Sequence, residues 1–188
     1  MPTSQTIGSG DIQVAISRLV DGIAGRLRPD QPVILLGIAN GGIELAGRIS
    51  RALAGRAAAS AIQLGTLDIS FHRDDIGLHP IPKEYVATHI PVDVDGAYVI
   101  LIDDVLFSGR TLKAALDELF DHGRPSKVEL AVLVDRKGRR LPFAADFIGL
   151  ALDTRPDEKV VVTLDPANPK RDSIRVQPAG TTSQPPAL

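Results

Sequence analysis

The sequence predicts an α/β fold in which a mainly parallel central sheet is flanked by helices on both faces. Three features carry this expectation. Apolar runs without alternation occur at Val33–Leu36 and Tyr98–Ile102, as strands covered on both sides require, and Val128–Val134 reads as a further strand. Segments with apolar residues at helical spacing lie between them. Strands that alternate with helices join through right-handed crossovers, and this makes neighbouring strands parallel.

The elements follow in chain order. Residues 1–9 are small and polar and are expected as a flexible N-terminal tail, before one domain over residues 10–176. Ile12, Ile16, Leu19, Val20, Ile23 and Leu27 share a helical face, with Asp11 as the expected cap and Arg28-Pro29-Asp30 as the stop. The run Val33–Leu36 leads through a glycine-bearing turn, Gly37 to Gly42, into a helix from about Ile43 to Leu53. Ile62 to Phe71 reads as a strand, and His72 to Asp95, with three prolines, as an irregular excursion. Tyr98–Ile102 is a buried strand that runs directly into two aspartates. Thr111 to about His122 is helical, and Gly123 stands where a C-terminal glycine belongs. Strands follow at Val128–Val134 and Phe147–Leu150, and Val160–Leu164 is expected as an edge strand. Residues 177–188 are expected as a flexible C-terminal tail.

Composition excludes several classes of function. The net charge of −2 provides no general attraction to nucleic acid or an anionic membrane. With no cysteine, the chain has no disulfide, thiolate zinc site or cysteine nucleophile. The N-terminus lacks the basic start and apolar stretch of a signal peptide, and no apolar run approaches the roughly 18 residues of a membrane span. The expected location is the cytoplasm, with no membrane partner.

Chemistry concentrates in Asp103, Asp104, Val105, Leu106, Phe107, Ser108, Gly109, Arg110 and Thr111. In a parallel sheet, ligands bind at the carboxyl ends of strands where strand order reverses. Two adjacent acids behind an apolar run are costly to desolvate unless ribose hydroxyls or a magnesium ion pair with them. Ser108-Gly109-Arg110-Thr111 lead into a helix, whose N-terminal amides and dipole make an anion site. Each half has a commonplace reading, a solvated acid pair or a capped helix, but the nine residues together fit one ligand, a ribose 5-phosphate. No Gly-x-x-x-x-Gly-Lys-Ser/Thr string competes for the phosphate.

The string Ile102 to Thr111 resembles the phosphoribosyl-diphosphate (PRPP) signature of type I phosphoribosyltransferases. Three further strings narrow the resemblance to the PyrR family of pyrimidine-operon attenuation proteins. They are Gly65 to Asp75, Asp121 to Ser126, and Leu133-Val134-Asp135-Arg136 with Leu141-Pro142 and Ala145 to Gly149. The resemblance covers about Val33 to Leu164. It implies a type I phosphoribosyltransferase fold with a small hood and a flexible flap, assembled as a homo-oligomer. The implied reaction is PRPP plus uracil to UMP and pyrophosphate, with Mg²⁺ carried by PRPP.

By the same resemblance Asp103, Asp104 and Arg73 are catalytic, with Asp103 and Asp104 on the ribose hydroxyls and the metal. Residues 103–111 bind PRPP, Ala39, Asn40 and Gly41 form the pyrophosphate loop, and Arg136 and Val160 lie by the base. The chain departs from the family where many members carry Thr-Arg-Gly in the pyrophosphate loop, and Gly138 replaces a histidine. Arg136-Lys137-Gly138-Arg139-Arg140 is the strongest basic run, and its commonplace reading is a solvated turn. The family also implies UMP- or UTP-dependent binding of a pyr mRNA leader, for which the first helix offers Arg18, Arg26 and Arg28. A catalytically weak, nucleotide-sensing RNA-binding regulator is the alternative to the enzyme, as is a phosphoribosyltransferase for another base. The four histidines show no metal-ligand spacing and read as surface or flap residues.

Overall fold

The computed structural model describes residues 5–28, 31–56, 62–70, 72 and 86–179. A five-stranded parallel sheet of β2 (Val33–Ile38), β3 (Ile62–Leu67), β4 (Tyr98–Leu106), β5 (Lys127–Arg136) and β6 (Phe147–Leu152) has the order β3-β2-β4-β5-β6. Every residue of β2 is buried, which explains why its sequence does not alternate.

Alternate residues of these strands feed two cores. Leu35, Ile100, Ile102 and Leu133 face α1 (Ser9–Ala24) and α2 (Gly41–Ala54), against Ile12, Leu19, Leu45 and Ile49. Ile34, Leu36, Leu101 and Val132 face α3 (Arg110–Asp121), against Leu112, Ala115 and Leu119. Burying one such side chain contributes about 1.5–3 kcal/mol, so a one-residue slip of a central strand exchanges both faces at once. Among the described residues, no helix is long and apolar enough to cross a membrane.

A second, antiparallel sheet forms the hood: β1 (Gln5–Ile7), β8 (Ser173–Pro178) and β7 (Glu158–Thr163), in the order β1-β8-β7. Ile174 of β8 joins the core over α1. Asp172, buried just before β8, accepts hydrogen bonds from Arg48 on α2, the Asp165 amide at 2.9 Å and Gln13 Nε2 at 3.3 Å. A charge desolvated this far needs such partners, and they fasten the hood to the helical layer.

Several boundaries differ from the sequence expectation. Residues 5–7, read as tail, form β1 because β8 provides them with a partner. The helix α1 starts at Ser9 behind Gly8, so Asp11 lies inside the first turn, and it ends at Ala24. The edge strand expected at Val160–Leu164 is β7, which starts at Glu158, ends at Thr163 and borders the hood rather than the main sheet. Gln177 and Pro178, read as tail, continue β8. The strand β4 runs four residues past Ile102, since Asp103, Val105 and Leu106 keep pairing with β5.

Candidate active site

The chain leaves β2 for β3 on one side, while β4 lies on the other, so the carboxyl ends of β2 and β4 flank the point where strand order reverses. Asp103 and Asp104 stand at the β4 end. Asp103 is 8% exposed and Asp104 partly buried. Burial, and then the neighbouring Asp104 charge, push the Asp103 carboxyl well above the usual range, and burial raises Asp104 as well. The Asp104 amide donates to Asp103 Oδ1 at 2.9 Å. A buried pair of adjacent carboxylates is a donor set suited to Mg²⁺ and to hydroxyl donors, both of which stabilise its charged form.

The turn after β2 meets this pair directly. A Cβ on Gly41 would lie 2.4 Å from the Asp104 carboxyl carbon, and one on Gly42 would lie 2.0 Å from the Ile102 carbonyl oxygen. Glycine at both positions lets the N-terminus of α2 abut β4. Gly41 is thereby brought against Asp104, with Ala39 and Asn40 immediately before it in the turn. The Ala39 amide donates to Leu67 O at 2.9 Å, and the Ala39–Asn40 peptide is cis.

Val105 and Leu106 belong to β4; the loop itself is Phe107, Ser108 and Gly109, and Arg110 and Thr111 open α3. Gly109 caps α3 with φ of 91°, a conformation costly for other residues, and a Cβ there would lie 3.0 Å from Phe143. A helix N-terminus with glycine at its cap presents backbone amides to an anion. The Ser108 carbonyl accepts from the Arg140 and Leu141 amides, both at 3.0 Å, which clamps the loop from behind.

The basic run after β5 is no solvated turn throughout. Arg139 Nη1 donates to Leu106 O at 3.1 Å, Phe107 O at 2.8 Å and Arg136 O at 2.8 Å. Its Nε donates to Phe143 O at 3.1 Å, and its other nitrogen pairs with Asp135. One guanidinium thus fixes the path of the loop from Leu106 to Gly109, a use of its planar fork that lysine lacks. Charge patterning does not single it out; only the return of the chain past Phe107 makes it central.

Arg136 is buried, with its guanidinium 3.9 Å from the centroid of the Phe107 ring. Its Nε donates to Thr154 Oγ1 at 2.5 Å and its Nη2 to Arg155 O at 3.1 Å. Desolvation lowers its pKa, offset in part by Glu158. Phe107, Arg136, Lys137, Gly138, Arg140, Thr154 and Pro156 line a pocket of about 220 Å³. Gly138, at φ of 112°, lets the turn approach Phe107. Val160 lies on β7, opposite Val176, packed on the core together with Val105. Arg73, with residues 73–85 of the irregular segment expected as a flap, lies outside the described residues. A larger cavity of about 460 Å³ between α1 and α2 holds Glu44 and Arg48, which pair with each other.

Comparison with known proteins adds to this geometry. Residues 10–165 match the family model described as the phosphoribosyl transferase domain. The chain is similar to the bifunctional protein PyrR of Roseiflexus sp. (strain RS-1), 41% identical over 97% of this chain and 100% of the relative. It is 46% identical to the bifunctional protein PyrR of Streptomyces coelicolor, over 82% of this chain and 79% of the relative. The hypoxanthine phosphoribosyltransferase of Trypanosoma cruzi superposes with a TM-score of 0.65 over 91% of this chain and 94% of that one. At 22% identity that match speaks to the fold alone.

Proposed function

The chain belongs to the phosphoribosyl transferase domain family and, within it, to the PyrR proteins, and from this we propose that it converts uracil and PRPP to UMP and pyrophosphate. One observation carries the site assignment. A buried acid pair, a glycine turn pressed against it and a glycine-capped helix N-terminus converge where strand order reverses.

In this reading Asp103 and Asp104 receive the ribose 2- and 3-hydroxyls. The loop Leu106 to Thr111 holds the 5-phosphate with backbone amides and the Ser108 and Thr111 hydroxyls. Amides of Ala39, Asn40 and Gly41 receive the pyrophosphate, and Arg136 and Val160 border the base. Arg73 closes over the departing pyrophosphate. Asp103 and Asp104 would hold Mg²⁺ through bound PRPP, where the ion would neutralise charge on the diphosphate. At ribose C1 the bond to pyrophosphate oxygen breaks as the bond to uracil N1 forms, and the N1 proton passes to solvent. The protein's share is to align the two substrates and stabilise the leaving group's charge. The chain works in the cytoplasm as a homo-oligomer.

A second reading rests on Asn40, which stands where many relatives carry arginine and weakens pyrophosphate capture. In it the chain is chiefly a UMP- or UTP-sensing regulator that binds a pyr mRNA leader. Arg18 donates to Gly149 O and Arg26 pairs with Glu129, so two of the three cations of the α1 region already serve the fold. Purified protein with Mg-PRPP and radiolabelled uracil, beside the D103N/D104N double variant, separates these readings. UMP made by the wild type and lost in the variant supports the enzyme. No UMP despite PRPP binding overturns it, and a gel shift that fails to respond to UMP at low salt eliminates the regulator. A clear preference for a purine or orotate in a panel of bases replaces uracil.

A further inference from the structure

Two histidines expected as surface or flap residues meet the same carboxylate. Glu118, Asp121 and His122 lie in the last turn of α3 or just beyond it, and His72 follows β3, 46 residues earlier than Glu118. His72 Nε2 lies 3.0 Å from Glu118 Oε2 and 3.5 Å from Asp121 Oδ2. From the opposite side His122 Nε2 lies 3.2 Å from Glu118 Oε1. Ligand atoms of His72, Glu118 and Asp121 all fall within 4.8 Å of one another, close enough to share one ion.

Three independent features favour a cation there. The C-terminal end of a helix carries about half a negative charge, and Glu118 and Asp121 add two more. The last turn of α3 contains no lysine or arginine to offset them. Glu118 is held in place from outside the group by Thr88 Oγ1, which donates to Oε1 at 2.7 Å, leaving Oε2 toward His72. Such outer hydrogen bonds orient ligating carboxylates in metal sites. His72 is itself fixed by its amide, which donates to Ile69 O at 3.0 Å.

The alternative is a set of ordinary ion pairs with protonated imidazole. Imidazole with two carboxylates suits Zn²⁺ and other first-row divalent ions, whereas Mg²⁺ prefers oxygen alone. We propose that His72, Glu118 and Asp121 bind a divalent transition-metal ion, Zn²⁺ by its ligand chemistry, with His122 positioned as an adjoining imidazole. The ion joins the chain just past β3 to the C-terminal turn of α3. With twelve residues in α3, this site lies roughly 18 Å from the phosphate loop at the other end of that helix.

The test uses the full chain, stripped with EDTA, and titrated with ZnCl2 by calorimetry and with CoCl2 by absorption. Expected are one ion per chain, visible Co²⁺ bands of a low-coordinate site, and at least tenfold weaker binding in H72A and in E118Q. The D103N/D104N variant retains the wild-type affinity, and excess Mg²⁺ does not displace Co²⁺. Melting in EDTA verifies that each variant folds, and D121N serves in place of any that does not. Binding that is absent, or unchanged in the folded H72A and E118Q chains, overturns the proposal, as does binding lost with D103N/D104N.

Discussion

Alanine at Gly42 tests the packing that builds the proposed active site. Its Cβ would lie 2.0 Å from the Ile102 carbonyl oxygen and 3.2 Å from Asp103 Cα. Carbon and carbonyl oxygen ordinarily approach to about 3.3 Å, so α2 must retreat from β4 by roughly 1.3 Å. Both partners are backbone, and no rotamer change relieves the overlap. Overpacking of this kind costs about 1–3 kcal/mol or more. Taking about 3 kcal/mol, and roughly 2–4 °C per kcal/mol for a chain of this size, the melting temperature falls by about 6–12 °C. Gly10, in the first turn of α1, has nothing within 4 Å of its Cβ, and G10A raises stability by about 0.5–1 kcal/mol. At Gly41 the three atoms nearest a Cβ all belong to the Asp104 carboxylate, a side-chain end that swings away. G41A therefore melts within about 2 °C of wild type while its KM for PRPP rises about tenfold or more. Calorimetric melts and a PRPP titration measure all three. If G42A melts together with G10A, α2 does not approach β4 this closely, and the packing inferred for the site is wrong.

Other substitutions probe separate parts. R139K removes the fork that holds the Leu106, Phe107 and Phe143 carbonyls; stability falls by about 1–3 kcal/mol, and kcat/KM for PRPP falls more than that for uracil, as thermal melts and initial rates will read. Because burial destabilises the charged form of Asp103, D103N melts above the wild type at pH 7 while kcat/KM falls about a hundredfold; a lower melting temperature contradicts the electrostatic account. Burial pushes the Glu129 carboxyl up, but hydrogen bonds from Lys127, Tyr98 and Arg26 outweigh it and hold the pKa below the usual range. An acid with a depressed folded pKa contributes stability above its unfolded pKa and loses it as pH falls through the folded one. E129Q is thus less stable at pH 7, and the gap closes below about pH 4, where guanidinium melts on both chains will show it.

Much of the fold is legible in the amino-acid sequence, because its decisive signals are local. Non-alternating runs such as Val33–Leu36 mark strands buried on both faces, and the nine residues from Asp103 combine two ligand features in one stretch. The hood is harder to read. β1 has three residues, too short to show a period, and β8 alternates Ile174, Arg175 and Val176 inside a segment rich in polar residues. Polar Asp103 and Asp104 look like the end of β4, whereas pairing with β5 continues through Leu106. Arg139 is concealed for a different reason. A run of five basic-rich residues looks solvated throughout, and which one turns inward depends on a chain reversal beside Phe107.

The pairing of β1 with β8 also has a meaning in time. During synthesis, strand and helix neighbours of the main sheet emerge in order, and each finds its partner close behind it. Gln5–Ile7 emerges first and must wait for Ser173–Pro178. Loop-closure entropy grows only as the logarithm of the length spanned, so the delay costs little in final stability. It does set an order of events, in which the five-stranded parallel sheet is complete before the hood can close against it.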